Sequence, residues 1–449
     1  MRHELTKEFL AEVRKAIAEN NTAWIDQRVV ILHPADIAEI LDELSLPEAQ
    51  TIYRHLDEIQ QADVLLELDE EIRERFIESL SAKEVATQLE NLDSDDAADI
   101  LGELPVERQR EIIEAMDKQD AAPIVDLLNY DEDTAGGLMQ KEFIKAKEYW
   151  PVNKCVIELR KQAEEVEKVY TIYVVDKDDC LVGVLSLKSL LFASPKTLIK
   201  SLCMEENIIS VPTNMEGEDV AKIMDKYGLV SVPVVDLQRK LVGRITIDDI
   251  VEVIKEEADR DFQIASGISE NIDSGASVLK GLRARLPWLL IGMLGGVLGA
   301  VVIGNFETEI GKLPALAFFI PLVAAMGGNV GVQSSAIVVQ SIANGTDQFS
   351  TIWSRVKKET LIGLLNGLIC ATIIFLTTWL LQDPLLGLTV SLALFTVICF
   401  AAIFGTLIPL VLDKYDIDPA LATGPFITTL NDVVGLFIYF VIGMFIFGI

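Results

Sequence analysis

The sequence predicts a multi-domain chain: an all-α superhelical N domain, an α/β pair of duplicated modules, a connecting helix, and an α-helical membrane domain of five transmembrane helices. Three observations predict it. Charge and hydropathy are segregated along the 449 residues, a short leucine-rich theme recurs through the front, and a strand–turn–strand–helix pattern occurs twice at an offset of sixty.

The segregation comes first. Formal charge is -31, yet 50% of the residues are hydrophobic. Residues 1–140 hold 12 Lys/Arg against 35 Asp/Glu, residues 141–285 hold 21 against 25, and residues 286–449 hold 5 against 9. Such an acidic front excludes nucleic acid as a partner, because a phosphate backbone needs a basic surface; it attracts cations instead. The five cysteines, Cys155, Cys180, Cys203, Cys370 and Cys399, form no C-x-x-C pair and read as buried hydrophobes. The opening MRHELTKEFLAEVRK lacks the apolar core of a signal peptide and predicts an amphipathic helix. With no P-loop, HExxH or GxSxG, the chain is expected to be neither an ATP-driven pump nor an enzyme.

Within residues 1–135 the theme appears as ILDEL at 40–44, VLLEL at 64–68 and ILGEL at 100–104. Offsets of 24 and 36 predict helices of about a dozen residues stacked on one another, with Pro47 and Pro105 opening the next helix. Most carboxylates here are ordinary solvated faces. LDSDDAADILGEL differs: it sets Asp95 and Asp99 four apart on one helix face, where like charges repel unless a cation or a basic partner intervenes.

The duplication covers residues 136–200 and 201–256. VVD at 174–176 recurs at 234–236, and LVG at 181–183 recurs at 241–243; each copy is a β-branched run, a polar turn, a second strand and a Ser/Thr-led helix. This resembles the CBS domain, a β-α-β-β-α module that works as a pair. CBS pairs often bind adenosine nucleotides through [ST]-x-x-D, the acid taking the ribose hydroxyls. The resemblance implies ATP at Thr246 and Asp249; the first copy reads Ser186-Leu187-Lys188-Ser189 and lacks the acid.

A connecting helix is expected over 248–282. Ile250, Val251, Ile254 and Ala258 form an apolar stripe, and Asp248, Asp249, Glu252, Glu256, Glu257, Asp259 and Asp261 crowd the rest. The stretch is either a solvated connector or a set of carboxylates spaced for a hard divalent ion, and its place before the first span favours the second.

Residues 283–449 form the membrane domain. Apolar segments at about 286–306, 313–343, 360–381, 384–412 and 418–448 each supply the ~20 residues a bilayer requires. Lys280, Arg283, Arg285, Arg355, Lys357, Lys358 and Lys414 all fall on the N-terminal side, against Lys312 opposite. Positive charge stays inside, so the N-terminus is expected in the cytoplasm and the C-terminus outside, across a bacterial-type plasma membrane. Span two carries PLVAAMGGNVGVQSSA (321–336), whose Asn329 and Gln333 project amides together. Span five carries DPALATGPFITTLNDVVG (418–435), in which Asp432 is ringed by Thr428, Thr429 and Asn431, and Pro425 is expected to free a carbonyl from the helix ladder. An acid at the bilayer centre costs roughly 2.5–3.5 kcal/mol and is functional by default.

P-x-x-x-x-G-G-N-x-G-x-Q in one span, with D-P-A and G-P-x-x-T-T-x-x-D in another, resembles the MgtE family of magnesium channels, and the domain order agrees over essentially the whole chain. The resemblance implies a homodimer in the lipid bilayer with a pore on its two-fold axis. Asp432 would form the cation-selecting ring, with Asn329, Gln333, Thr428, Gly424 and Asn431 along the ion path. It implies that the connecting helix plugs the pore when internal Mg²⁺ is high, sensed at Asp95 and Asp99 and at Asp249, Glu252, Glu257 and Asp261. Lys255 and Arg260 interrupt that acid run, and Gly228 and Leu229 offer no ligand where relatives can place an acid and an aromatic. Alternatives are a channel for Co²⁺, Ni²⁺, Mn²⁺ or Ca²⁺, an anion channel, disfavoured by spans almost free of cations, and a non-conducting magnesium sensor.

Overall fold

The computed structural model describes residues 5–163, 166, 168–204, 208–269, 272, 277–343, 352–381, 383–415, 417–422 and 424–448. It divides into two compact units, Met1–Lys255 and Glu256–Ile449.

Ten short helices, from Lys7–Ala18 to Lys118–Leu127, build the N domain among the described residues. They stay short because side-chain caps punctuate them. Thr6, Asn21, Asp57, Ser81 and Asp117 each accept from a backbone N–H of the helix they begin, and Ser45/Glu48 and Ser81/Glu84 form reciprocal capping boxes. Pro47 lies in the first turn of Leu46–Tyr53, whereas Pro105 caps Val106–Ala115. The recurring theme is the inward face of this stack: Ile40 and Leu41, Val64 and Leu65, Ile100 and Leu101 are buried pairs in one continuous core, which extends into the second duplicated module.

Each module holds a three-stranded sheet. In the first, β1 (Ile144–Lys147) runs parallel to β2 (Ile172–Val175), which pairs antiparallel with β3 (Leu181–Leu185). The second repeats this with β4 (Val211–Pro212), β5 (Ser231–Val235) and β6 (Leu241–Thr246). Even the irregularities recur: Val174 pairs with Gly183 and Val234 with Gly243, and the register shifts after each. A Cβ at Gly183 or Gly243 would press on Cys203 or Met139, so both sheets use glycine where another segment crosses closely.

Helix Ile247–Ala265 follows β6 and stops well before residue 282. Gly267 takes φ +79, its N–H donates to the Ile264 carbonyl, and the Ile268 N–H donates to the Gln263 carbonyl. This is a Schellman stop. The Gln263 side chain then clasps the Ile272 backbone from both sides, and the Ser269 N–H donates to the Ala284 carbonyl at the foot of span one.

Five helices long and apolar enough to cross a membrane follow: Val278–Asn305, Pro314–Ala343, Ile352–Leu380, Pro384–Lys414 and Gly424–Phe447. Spans one and three start about eight residues before their apolar cores, because Lys280, Arg283, Arg355 and Lys357 lengthen those helices without ending them. Span five instead begins at Gly424 and not at 418; Pro419–Ala422 is a separate 3₁₀ turn. Pro425 therefore sits in the first turn, where its missing N–H has no partner to lose, and it opens the helix instead of freeing a carbonyl within it. Span four is central, with Val390, Ala393, Val397, Ile398 and Ala401 buried. Span three is peripheral and leaves Trp353 and Trp379 exposed near its two ends.

Candidate ion pore and acidic cluster

In the membrane unit the two polar motifs lie against each other. Gly327, Gly328 and Gly331 of span two have no side chain, and span five fills the space. A Cβ on Gly328 would stand 3.1 Å from Thr428 Cγ2 and 3.5 Å from Asp432 Oδ1, and one on Gly331 would collide with the Asn431 amide. Asp432 is thus half-buried beside span two, eight residues and about 12 Å into span five. Asn431 is 1% exposed, and among the described residues neither of its amide atoms has a hydrogen-bond partner. Thr428 donates to the Gly424 carbonyl at 3.0 Å, which leaves its oxygen free to accept. Asn329 and Gln333 are exposed, one residue on from Gly328 and two on from Gly331 on span two. The arrangement brings Asp432, Thr428 and Asn431 together and keeps Asn329 and Gln333 apart from them within one chain.

The connecting segment ends against the start of span five. Gly424 takes φ +53, and a Cβ there would strike the Ala265 carbonyl; a Cβ on Gly267 would stand 2.7 Å from Pro425 Cγ. Two glycines in left-handed conformations let the end of the connecting helix and the start of span five meet.

The second candidate lies in the first unit. Asp95 lies in the first turn of helix Ser94–Gly102, is 4% exposed, and among the described residues has one carboxylate oxygen buried without a partner. Burial, then the carboxylates of Asp96, Asp249 and Asp93, push it well above the ordinary carboxylate range. Burial and then Asp249, Asp93, Asp99 and Glu252 raise Asp96 to about 8. Asp99 is exposed to solvent yet crowded; the protein mass around it, then Glu132, Glu252, Glu103 and Asp249 raise it to about 7, and water screens part of that repulsion. The helix pair expected from sequence is therefore the edge of a larger group. Spacing alone does not bring in the others: folding gathers Asp93, Asp96 and Asp249 around Asp95, and Glu132, Glu103 and Glu252 around Asp99, with Glu103 itself paired to Arg73. Among the described residues no three of these side chains come close enough to grip one ion directly.

Asp249 serves two masters. Its Oδ2 accepts from the Thr246 N–H at 3.1 Å and from the Thr246 hydroxyl at 2.8 Å, capping the connecting helix. Burial raises Asp249 nonetheless. Asp248 also meets the Thr246 hydroxyl, and against its burial that bond and Lys168, 3.6 Å away, hold it low. In the first module Ser189 sits at the equivalent place and bonds to Ser186 at 2.8 Å. Glu252, Glu256 and Asp259 are exposed, Glu257 and Asp261 partly buried, and Arg260 pairs with Glu257 at 3.4 Å.

These carboxylates set a pH dependence. A carboxyl whose folded value is raised adds stability below its unfolded value, near 3.8, and loses that stability as pH rises through the folded value. For Asp96 and Asp99 the window runs from about 4 to about 8. In metal chelator, the melting transition of the first unit within the intact protein is expected to be several degrees higher at pH 6 than at pH 8.5, an effect on the order of 1–2 kcal/mol. Saturating Mg²⁺ is expected to remove the difference. A transition independent of pH in chelator would show that the cluster is not crowded in solution.

Comparison with known proteins agrees with this layout. The MgtE family of divalent cation transporters matches residues 320–442, the MgtE intracellular N domain matches 32–133, and the CBS domain matches 135–196 and 199–256. The magnesium transporter MgtE of Bacillus subtilis (strain 168) is 34% identical over 315 residues, 70% of each chain. That of Enterococcus faecalis (strain ATCC 700802 / V583) is 36% identical over 318 residues, 71% of this chain and 70% of its own. The crystal structure of the cytosolic domain of the Mg²⁺ channel MgtE in complex with ATP superposes with a TM-score of 0.51 at 32% identity, covering 54% of this chain and 99% of that one. With its N domain, its CBS pair and residues 320–442 of its membrane part each matched, and with relatives at 34–36% identity over about 70% of both chains, the chain belongs to the MgtE family.

Proposed function

We propose that this protein is a magnesium channel of the plasma membrane that admits Mg²⁺ and is closed by Mg²⁺ on its cytoplasmic side. One observation carries the reading: the Asp432 carboxylate, half-buried within span five, stands against the glycines of span two beside the buried Asn431 amide. Mg²⁺ releases its waters reluctantly, so a pore passes it hydrated by offering acceptors to those waters. Carboxylate rings select cations. Two copies of the chain provide such a ring when their Asp432 residues face each other, and the second copy covers Asn329 and Gln333. The basic residues flanking the spans support a cytoplasmic N-terminus and an external C-terminus.

Closure uses the acidic cluster. Without Mg²⁺, Asp95, Asp96 and Asp99 repel Asp249 and Glu252, and the N domain loosens from the second CBS module. Hydrated Mg²⁺ bridges them through its waters, for which the orphaned Asp95 oxygen is suited, and favours the packed state. In that state Ala265 and Gly267 rest on Gly424 and Pro425 and shut the mouth; Glu256, Glu257, Asp259 and Asp261 add carboxylates along the same helix. ATP is a ligand of a relative. A ribose at Thr246 and Asp249 here has the Asp249 oxygen that Thr246 leaves open.

The test is Mg²⁺ uptake into proteoliposomes with internal Mg²⁺ varied and Ca²⁺, Co²⁺, Ni²⁺ and Mn²⁺ as competitors. Uptake that favours Mg²⁺ and falls as internal Mg²⁺ rises is expected. A preference for another ion reassigns the cargo, and absence of flux moves the protein to a sensor that does not conduct.

A further inference from the structure

Span three is peripheral and mostly apolar outward, yet it carries a carboxylate, Glu359, that is only 8% exposed. Among the described residues no Lys, Arg or His pairs with it; Lys357 and Lys358 beside it are exposed. Among the described residues its partner is the Ser334 hydroxyl of span two, which donates to Glu359 Oε2 over a long 3.4 Å and belongs to a residue only 5% exposed. Span four packs closely on both spans two and three, so this side chain bridges two helices that otherwise meet chiefly through a third.

What the bridge holds is specific. Ser334 lies three residues beyond Gly331, the position that receives the Asn431 amide. From the other side Gly405 of span four is pressed against the Gly331 carbonyl, where a Cβ would clash. Thr406, the next residue, is fully buried but spends its hydroxyl on the Ala402 carbonyl at 2.7 Å. The span-two segment that faces Asp432 is thus held by smooth glycine contacts, which resist sliding little, and by the polar contact from Ser334 to Glu359, which favours one register. Small-residue contacts set how closely helices approach, and a hydrogen bond sets their register.

We propose that Glu359 is a positioning residue for ion conduction: through Ser334 it fixes the axial register of span two, so that Gly328 and Gly331 stay opposite Asp432 and Asn431. The inference rests on reading spans two and five as the pore. It requires an acceptor at 359 and not a charge, which separates it from an ion-binding role.

The experiment compares Mg²⁺ uptake by Glu359→Ala, Glu359→Gln, Ser334→Ala and Asp432→Ala in proteoliposomes, with melting in detergent measured for each. Glu359→Ala is expected to lose about tenfold in rate, as misplacement of a reacting group does. Glu359→Gln keeps an acceptor oxygen and is expected to retain at least about half the rate, and Ser334→Ala to lose about threefold, the scale of one interhelical bond. A Glu359→Ala rate within about twofold of the parent overturns the proposal, as does a Glu359→Gln protein that melts normally and conducts no better than Glu359→Ala. If Glu359→Ala does not fold, Ser334→Ala decides, and a parental rate there overturns the proposal. Loss of flux in Asp432→Ala with none in the Glu359 and Ser334 variants sinks this inference alone, whereas parental flux in Asp432→Ala removes the pore reading beneath it.

Discussion

Asp432→Asn is expected to cut Mg²⁺ uptake by at least about 100-fold while leaving the protein folded. The substitution keeps the shape of the side chain beside Gly328 and removes its charge. A carboxylate acting on a divalent ion about 5 Å away, at an effective dielectric of about 20, contributes several kcal/mol per carboxylate, and ~3 kcal/mol alone is more than 100-fold. The neutral amide has no such field, and two copies lose it together. Asp432→Glu keeps the charge and is expected to recover part of the rate with altered preference between Mg²⁺ and larger ions. The measurement is isotope or dye-reported uptake at fixed internal Mg²⁺. An Asp432→Asn channel that conducts normally would move the selectivity ring elsewhere.

Gly424→Ala is expected to hold the channel open: the internal Mg²⁺ needed to halve uptake should rise about tenfold or more. Two effects add. A side chain at φ +53 costs about 1–2 kcal/mol for an L-residue, and its Cβ would strike the Ala265 carbonyl. Both act on the state in which the connecting segment touches span five, and a bias of about 1.4 kcal/mol against that state shifts its population tenfold. Gly267→Ala meets Pro425 from the opposite side and should act in the same direction. The readout is the internal Mg²⁺ dependence of uptake, with uptake at zero internal Mg²⁺ as control. Closure at the parental concentration in both variants would mean that this meeting of glycines does not gate.

The sequence and the fold agree where local pattern and tertiary burial point the same way. The duplicated VVD and LVG segments became equivalent strand pairs down to the shared register shift, because alternation and a glycine at a crossing are local demands. The leucine theme marked the buried pairs of the N domain for the same reason. Helix ends were less legible. An apolar run cannot distinguish a 3₁₀ turn from a helix, so the sequence predicts a span from 418 with Pro425 inside it, where the helix in fact begins at Gly424. Gly267 stops the connecting helix by a backbone conformation that one glycine among many does not announce. At the acidic cluster, the spacing of Asp95 and Asp99 was visible. The neighbours that make it unusual come from Glu132 and from Asp249 far along the chain, and only packing supplies them. Glu359 was hidden by its neighbours: beside Arg355, Lys357 and Lys358 it resembles one more charge of a connecting loop, and the helix that buries it begins earlier than hydropathy suggests.

The two exposed tryptophans of span three carry a consequence for the lipid around the protein. Trp353 and Trp379 are 26 residues apart, about 39 Å along a helix. That matches the ~40–45 Å between opposite headgroup regions, where indole rings prefer to lie. Across a bilayer, span three is expected to be anchored at both surfaces and to carry its own measure of hydrophobic thickness. Acyl chains too short or too long must tilt this helix or deform around it. Because Glu359 lies six residues from Trp353 and meets Ser334, bilayer thickness is expected to become a variable in the alignment of span two if Glu359 sets that register.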